Sequence, residues 1–372
     1  MASSFKVLFG DGAEPADAAF YNLVSAIEVE ENADLPGAVQ LTLPVATSGG
    51  GASEDLTVVG DARFKPYARI AVVGTVDSTD ACIFDGYVLQ HKIHLDQGTT
   101  ASTVQVWGQD ASCLMNVEEL VREWKQKDSD IAQTIFGKYS FTASGDNTDD
   151  DSSDHAESEH TVMQRATDAQ FLRDRARRAG KLFRVACTNL AGNNTGYFMK
   201  PKTTGTPVAT LVLNASPATG GAAARPSNVD ALDFEWDVTR PTEVIAKALA
   251  KSTTAIDGAV TASGLDLLDS RSLATFADRA TKVILTTSAD NQTDLQQRAR
   301  SILREGGWFV KCEGEADVAR LNYVLRAATV VQVNGAGRLH SGNYFVWSVR
   351  HSITAQSHRM KFVLVRNAVG NA

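Results

Sequence analysis

The cluster that most resembles a metal site is His155-Ala156-Glu157-Ser158-Glu159-His160. Its order differs from the His-Glu-x-x-His of zinc proteases. On a helix the two histidines would lie about 140° apart, too far round to share one ion. Its first three residues also match the start of a deaminase zinc signature, but no Pro-Cys-x-x-Cys follows. A solvated acidic loop is the favoured interpretation, and no metal site is predicted.

Motifs for nucleotide binding or an activated serine are missing from the sequence. The run Gly49-Gly50-Gly51 is not followed by Gly-Lys-Ser/Thr, and no Gly-x-Gly-x-x-Gly joins a predicted strand to a helix. A nucleophile elbow of the form Gly-x-Ser-x-Gly is also absent. The glycine run is therefore interpreted as a hairpin tip.

The remaining charged groups are better explained by solvated surfaces than by chemistry. The carboxylate pairs Glu118/Glu119 and Glu28/Glu30 are interpreted as the wet faces of secondary-structure elements. One predicted helix carries a face of arginines, for which a solvated side is favoured over an acidic partner: Arg173, Arg175, Arg177 and Arg178. We therefore predict no catalytic, cofactor-binding or metal-binding residue, no cofactor, and a protein that is not an enzyme.

Length and charge narrow the class of protein. The 372 residues are enough for two or three domains, and 43% hydrophobic with 22% charged residues is typical of a soluble globular chain. With 44 acidic and 36 basic residues the net charge is −8. This charge argues against binding to nucleic acid or anionic lipid.

The N-terminus and the cysteines indicate the compartment. No basic segment followed by an apolar stretch opens the chain, and no run approaches the roughly 18 apolar residues of a membrane span. We predict assembly in the cytoplasm and no direct insertion into a membrane. Cys82, Cys113, Cys187 and Cys312 are too far apart for a zinc knuckle or a short redox pair, which predicts reduced, buried thiols.

The elements that must position these residues are mostly strands. Apolar and polar residues alternate in Ile27–Glu30 and in Val39–Leu43, with a turn between them, which predicts an antiparallel pair. Further short β-like runs follow up to Trp107. Similar runs recur from Trp308 to Val365. Short strands at such spacing are typical of a barrel or sandwich.

Helical spacing predicts four helices in the middle and later parts of the chain. Val117 to Trp124 forms one apolar face, Ser129 is placed to cap a second helix, and Thr167 opens a third that ends at Gly180. A fourth is predicted over 293–305. The acidic segment 146–159 is interpreted as a mobile loop, and 188–228 as a linker or domain edge.

A similar pattern of residues occurs near both ends of the chain, and we call it the internal echo. Tyr87 precedes His94 by seven residues, and Tyr344 precedes His351 by the same interval. The second pair lies 257 residues after the first. An apolar strand precedes each hairpin. The echo predicts two similar β units. Chance similarity between antiparallel hairpins is the alternative. The inward-facing positions of the last strands match only if one strand contains a one-residue bulge.

Taken in order, three segments resemble the hub proteins of contractile phage tails, the late control protein D family, and the N-terminal hub region of VgrG proteins in type VI secretion. The resemblance extends over nearly the whole chain. The segments are 83–88, leading into the strand at Val104; 129–136, followed by 168–173 and Ala179-Gly180; and 342–351, followed by 362–368.

The resemblance implies the fold class: mainly β with an α+β insertion, as two tube-like β-barrel domains in one chain plus a small mixed helical and strand domain. The expected domains are 1–115, the first barrel; 116–228, the insertion and linker with the acidic loop 146–159; and 229–372, the second barrel. Val244–Leu249 is then expected to be the opening strand of the second barrel rather than a helix.

The resemblance also implies a function, that of a structural baseplate hub. Three chains with two barrels each would present six similar units, so a homotrimer could match a six-fold inner tube on one face and a three-fold spike on the other. The implied partners are the inner tube protein, baseplate wedge proteins and a spike, which is expected to be a separate chain because this one stops at Ala372. The implied location is a phage tail or injection particle. A tail-associated cell-wall hydrolase and a carbohydrate-binding tail module are the alternatives.

Overall fold

The computed structural model describes residues 3–45, 58, 60–96, 102–149, 162–188, 190–213, 226–249, 255–289 and 291–370. Most of its regular structure is β, in large antiparallel sheets with small helices at their borders, so the predicted fold class is confirmed. The strands are β1 (Ser3–Phe9), β2 (Glu14–Pro15), β3 (Ala26–Asn32), β4 (Ala38–Pro44), β5 (Arg69–Val76), β6 (Thr79–His94), β7 (Thr103–Asp110), β8 (Glu119–Trp124), β9 (Val162–Thr167), β10 (Leu182–Cys187), β11 (Asn194–Met199), β12 (Thr210–Val212), β13 (Ala231–Trp236), β14 (Glu243–Leu249), β15 (Ala255–Val260), β16 (Arg271–Ser272), β17 (Lys282–Thr286), β18 (Val310–Asp317), β19 (Val330–Asn334), β20 (Gly342–Ile353), β21 (His358–Arg366) and β22 (Ala368–Val369).

The helices are short except for three. They are α1 (Ala18–Leu23), α2 (Asp128–Lys138), α3 (Asp168–Ala179), α4 (Leu273–Ala277), α5 (Gln292–Gly306), α6 (Val318–Leu321) and α7 (Gly337–His340). Two 3₁₀ turns cover Ala62–Phe64 and Ala111–Asn116.

Two units of six strands have the same neighbour order. In the first unit the order is β3-β4-β7-β6-β5-β1, and in the second it is β13-β18-β21-β20-β19-β12. The last pair differs, because β1 runs antiparallel to β5 whereas β12 runs parallel to β19. The repeat that the sequence echo predicts is therefore present in the strand order.

A bulge lies at the same place in both units and corrects the alignment of the echo. The ladder of β6 with β7 skips Leu89, and the ladder of β20 with β21 skips Trp347. If the two bulges are taken as equivalent positions, β6 and β20 align with an offset of 258 residues. This offset is one residue more than the one between Tyr87 and Tyr344. In β20 the bulge shifts the buried positions by one residue, from Tyr344 and Val346 before it to Val349 and Ile353 after it.

The two units share one sheet and one hydrophobic core. Strand β3 of the first unit pairs with β20 of the second, so that a single thirteen-stranded sheet contains both. Val29 and Val72 of the first unit lie in the same apolar cluster as Val331 and Leu364 of the second. Burial of this common face joins the two ends of the chain into one body.

An α+β insertion packs beside the first unit. Helices α2 and α3 cover the hairpin β10–β11, with the rings of Phe136 and Phe183 stacked 6.1 Å apart. Thr167 caps α3, and Gly180 ends it in the left-handed region with φ of 62°. Both ends of this helix are where the sequence predicts them.

Two sequence predictions in this insertion are corrected. The segment Val117 to Trp124 contains the strand β8 instead of a helix, because six residue pairs with β9 outweigh the local helical spacing. Val121, which helical spacing would place on the apolar face, is 79% exposed. Ser129 lies inside the first turn of α2, whose N-cap is Lys127.

A second small α/β unit lies between β13 and β18. Strand β14 pairs with β15 and β17, and Val244 and Ala246 pack under Leu295 and Ala299 of α5. The prediction that 244–249 is a strand is confirmed, but it is not the opening strand of the second barrel. Its inward residues are covered by a helix of its own unit, which confirms the helix predicted over 293–305. The domain boundaries at 115/116 and 228/229 stay predictions.

Candidate functional site

The joint between the two six-strand units is the candidate site, because it is where one chain holds two similar bodies in a fixed relation. Six residue pairs form it, from Ile27 opposite Ile353 to Asn32 opposite Ser348. The Ala33 N–H donates to the Trp347 carbonyl at 2.8 Å and continues the ladder beyond the strand. The joint is thus a continuous stretch of antiparallel sheet.

The two faces of the joint differ in chemistry. Ile27, Val29, Val349 and Ile353 are buried in the common core. The opposite face is an open groove lined by charged side chains of both units: Glu30, Asp233, Glu313, Glu315, Arg350 and Lys361. Arg350 pairs with Glu28 across the joint, where both side chains are partly exposed to solvent. This exposed pair contributes little to stability.

A buried ion pair between Glu31 and Arg326 stabilises one end of the joint. The Arg326 Nε lies 2.7 Å from Glu31 Oε1 and 2.9 Å from Oε2, and the Ala327 N–H donates to the same carboxylate at 3.2 Å. Arg326 also donates to the Cys187 carbonyl of the insertion at 3.1 Å. One guanidinium therefore ties together the first unit, the second unit and the insertion. Its planar set of donors suits this geometry.

The carboxylate of Asp85 attaches the insertion to the first unit. Arg69 donates to it twice, at 2.8 and 2.7 Å, and the Gly192 N–H donates at 2.6 Å. Asp85 is buried, so these charge-assisted bonds replace the water that it loses. Asp85 lies in a segment that carries the family resemblance, and the structure gives it a positioning role.

Two buried histidines face each other across β20 and β21. His351 Nδ1 lies 3.0 Å from His358 Nε2, and His351 pairs in the ladder with Val29 of the first unit. One ring nitrogen must donate and the other accept, which requires at least one neutral ring. Burial, followed by the neighbouring His358 and Arg326, lowers the pKa of His351 well below its usual value. Burial also lowers the pKa of His358 to about 4, against an opposing effect of Asp317.

Acid is therefore expected to loosen the joint. In the unfolded chain these histidines take up protons below about pH 6.5, whereas in the folded chain His358 does so only near pH 4, so the free energy of unfolding falls as the pH drops through this window. The expected loss is about 2 kcal/mol or more between pH 7 and 4.5. Urea unfolding at a fixed protein concentration measures it.

The matched control replaces both rings by leucine, as His351→Leu with His358→Leu. Carboxylates elsewhere titrate alike in both proteins, so only the histidine contribution differs between them. We expect the double variant to lose about 2 kcal/mol less than the parent over the same pH range. Equal losses in the two proteins would show that the histidines are not responsible.

The described carboxylate pairs that were considered for chemistry lie in separate places. Glu28 and Glu30 lie on the charged face of the joint, whereas Glu118 and Glu119 are exposed at the start of β8. The cluster 155–160, the glycines 49–51 and most of the acidic loop 146–159 lie outside the described residues. Within the described part of the chain, no three His, Cys, Asp or Glu residues are grouped as a metal site.

The predicted arginine face is divided between solvent and neighbouring elements. Arg175 forms a two-pronged pair with Asp128 of α2, at 2.7 to 3.0 Å. Arg177 lies 4.0 Å from Asp34, and Arg178 lies 3.9 Å from Asp294 of α5. The interpretation as a solvated side holds for Arg177 and Arg178, whose side chains are exposed. Arg175 departs from it, because its side chain is mostly buried against Asp128 and positions α3 against α2.

All four cysteines are buried, as predicted, and free. The Cys187 thiol donates to the Cys82 carbonyl at 2.8 Å, across the contact between the insertion and β6. Burial raises the pKa of Cys113 and of Cys312 to about 12, so both stay as thiols at neutral pH.

Sequence reasoning missed Arg326, the arginine that closes the joint. It follows a short apolar run, and its partner Glu31 lies 295 residues away, so no spacing rule connects them. His351 was noticed only as a marker of the echo. No helix among the described residues has the length and apolarity needed to cross a bilayer.

Solved structures that are similar in fold to this chain include tail proteins and a component of a secretion system. The 43 kDa tail protein of prophage MuSo2 from Shewanella oneidensis has a TM-score of 0.66 and 14% identity, covering 99% of this chain and 100% of that chain. A tail protein of Neisseria meningitidis MC58 has a TM-score of 0.63 and 13% identity, covering 99% and 97%. An Escherichia coli component of the type VI secretion system, described as similar in structure to T4 tail proteins gp27 and gp5, has a TM-score of 0.53 and 11% identity, covering 100% and 80%.

The predicted resemblance to tail and secretion-system proteins is thus confirmed at the level of the fold. Membership of the late control protein D family stays a prediction, and no curated protein matches the sequence. A family model, described as the Alg8 N-terminal domain, matches residues 18–355, and the chain therefore belongs to that family.

Proposed function

We propose that the chain is the structural, non-enzymatic baseplate hub of a contractile tail or injection system. The observation that carries the proposal is the repeat: two units of the same strand order, joined edge to edge within one chain. Three copies would supply six similar units in a closed ring. Such a ring presents pseudo-six-fold symmetry while its true symmetry is three-fold.

The two faces of such a ring would serve different partners. One face would match the hexameric inner tube and seed its assembly, and the other would seat a trimeric spike. Baseplate wedge proteins would surround the ring. The similarity in fold to proteins described as tail proteins and as a type VI secretion component supports this role. The hub would assemble in the cytoplasm and then become part of the particle.

Light scattering on the purified protein, alone and mixed with its spike partner, tests the proposal. We expect a particle of about three times the 39.8 kDa chain mass, because an obligate ring buries large interfaces. A monomer under both conditions would contradict the proposal. An assay on peptidoglycan supplies the second arm: hydrolysis by the pure protein would favour the cell-wall hydrolase alternative.

A further inference from the structure

One stretch of the first unit has an edge that no described strand covers. Strand β6 pairs with β7 from Gly86 to His94, but on its other side β5 reaches only as far as Tyr87. In the second unit the corresponding part of β20, Ser348–Ile353, is covered on that side by β3. The same edge is therefore occupied in one unit and unoccupied by described strands in the other.

The exposed side chains on this edge match buried ones in the second unit. Equating the bulges at Leu89 and Trp347 aligns Gln90–Leu95 with Ser348–Ile353. His351 and Ile353 are 0% and 1% exposed beneath the joint, whereas their counterparts Ile93 and Leu95 are 41% and 59% exposed. Apolar residues at the positions that the other unit buries indicate a covering element.

Strand β13 has the right place and sequence to provide that cover. It forms the end of the strand path, and its only described strand partner is β18, so it occupies in the second unit the place of β3 in the first. The ladders align Ala26-Ile27-Glu28-Val29-Glu30 with Ala231-Leu232-Asp233-Phe234-Glu235, so apolar and acidic residues agree at every position. The strand that covers β20 thus has a chemical copy at the far end of the sheet.

We propose that β13 of one copy pairs antiparallel with residues 91–95 of β6 in a second copy, in the register of the internal joint. This rests on the ring proposed above and names its interface. Carrying over the internal register places Lys92 opposite Glu235, Ile93 opposite Phe234, His94 opposite Asp233 and Leu95 opposite Leu232.

Charge and shape both support this register. Lys92 takes the place of Arg350, so it faces Glu235 directly and reaches Asp233 as Arg350 reaches Glu28. On the other face, Ile93 and Leu95 meet Phe234 and Leu232, so two apolar pairs lie where the internal joint has its buried pairs. Opposite charges and apolar pairs placed directly across are the stabilising contacts of an antiparallel sheet.

Each copy would contribute two different edges to the assembly. The β13 edge and the β6 edge lie on different units, so the contact is head-to-tail, and the three-fold axis of the proposed hub would close it into a ring. The internal joint and the proposed joint would then alternate around one continuous sheet. Such closure leaves no exposed edge, which is the usual protection against disordered aggregation.

Paired cysteines test the register. In the internal joint the bond from Ala33 to Trp347 makes Glu30 and Arg350 a non-hydrogen-bonded pair, the type whose Cα atoms lie closest and within reach of a disulfide. The corresponding pair between copies is Lys92 and Glu235. We expect the variant Lys92→Cys with Glu235→Cys, after mild oxidation, to run mostly as a covalent trimer on a non-reducing gel.

The chain offers a matched control for this experiment. The variant Glu30→Cys with Arg350→Cys places the same pair inside one chain, so it is expected to form a disulfide while staying a single chain on the gel. Each single variant, Lys92→Cys or Glu235→Cys, is expected to give no covalent trimer. The four native cysteines are buried and should not contribute.

The outcomes separate the two proposals. A trimer by light scattering, with the internal control crosslinked but no bond between positions 92 and 235, would overturn this interface and leave the hub proposal standing. A monomer in light scattering, both alone and with the spike partner, would overturn the hub proposal itself. A charge test is independent of cysteine chemistry: Lys92→Glu should raise the concentration for half-assembly about tenfold or more, and adding Glu235→Lys should reverse most of it. Assembly unaffected by Lys92→Glu would contradict the interface.

Discussion

Replacing Arg326 with methionine is expected to lower the free energy of unfolding by about 3–5 kcal/mol. Methionine keeps the length of the side chain but removes the charge that Glu31 needs. Glu31 and Arg326 are only 8% and 15% exposed as side chains, so the remaining carboxylate would stay buried with a single backbone donor, from Ala327. Urea or thermal unfolding at one protein concentration measures the loss.

Two comparisons isolate the cause. Arg350→Met removes an ion pair that also spans the joint, but with side chains 53% and 37% exposed, so its cost is expected to stay below about 1 kcal/mol. Adding Glu31→Gln to the Arg326 variant removes the stranded charge and should recover about 1–2 kcal/mol. If Arg326→Met cost no more than Arg350→Met, the buried pair would not hold the joint.

Replacing Gly86 with alanine is expected to cost about 3 kcal/mol or more, enough to reduce the yield of folded protein. A Cβ atom at this position would lie 2.0 Å from the Gln109 carbonyl oxygen and 2.7 Å from the Asp110 Cα. Both atoms belong to the backbone of β7, which cannot withdraw because it is paired with β4 on its other side. The clash therefore cannot be relieved unless β7 shifts out of its pairing with β4.

Gly137 supplies the control for the same substitution. It is exposed in the last turn of α2, and nothing lies within 4 Å of a Cβ placed there. Gly137→Ala should raise stability by up to about 1 kcal/mol, since alanine restricts the unfolded chain more than glycine does. Circular dichroism during urea unfolding compares the two variants. Similar stabilities for both would refute the close approach of β6 and β7.

Local patterns in the sequence predict those elements whose signals are short-ranged. The capping residue Thr167 and Gly180 bound α3 correctly, because both act on backbone groups within a few residues. The alternation in Val39–Leu43 gives β4 for the same reason. Val117–Trp124 fails, because partner strand β9, which lies more than thirty residues later, decides its conformation.

The candidate site was less predictable than the fold. Glu28 and Glu30 could be recognised as one wet strand face, and the structure agrees, but their role at the joint depends on Arg350, more than three hundred residues away. The echo indicated a repeat from two similar hairpins alone. It did not include the shared order of apolar and acidic residues in 26–30 of β3 and 231–235 of β13. That similarity can be recognised only after the strand ladders align β3 with β13.

By itself, then, the sequence determined that this chain is mainly β, contains a capped helical insertion, and carries two similar hairpins, because alternation, capping and turn chemistry act between near neighbours. Only the tertiary structure decided that β3 lies against β20, that Arg326 meets Glu31, and that one edge of each unit is left without a described strand. These depend on which distant strands bury a common apolar face, and burial is a property of the whole chain that no local spacing encodes.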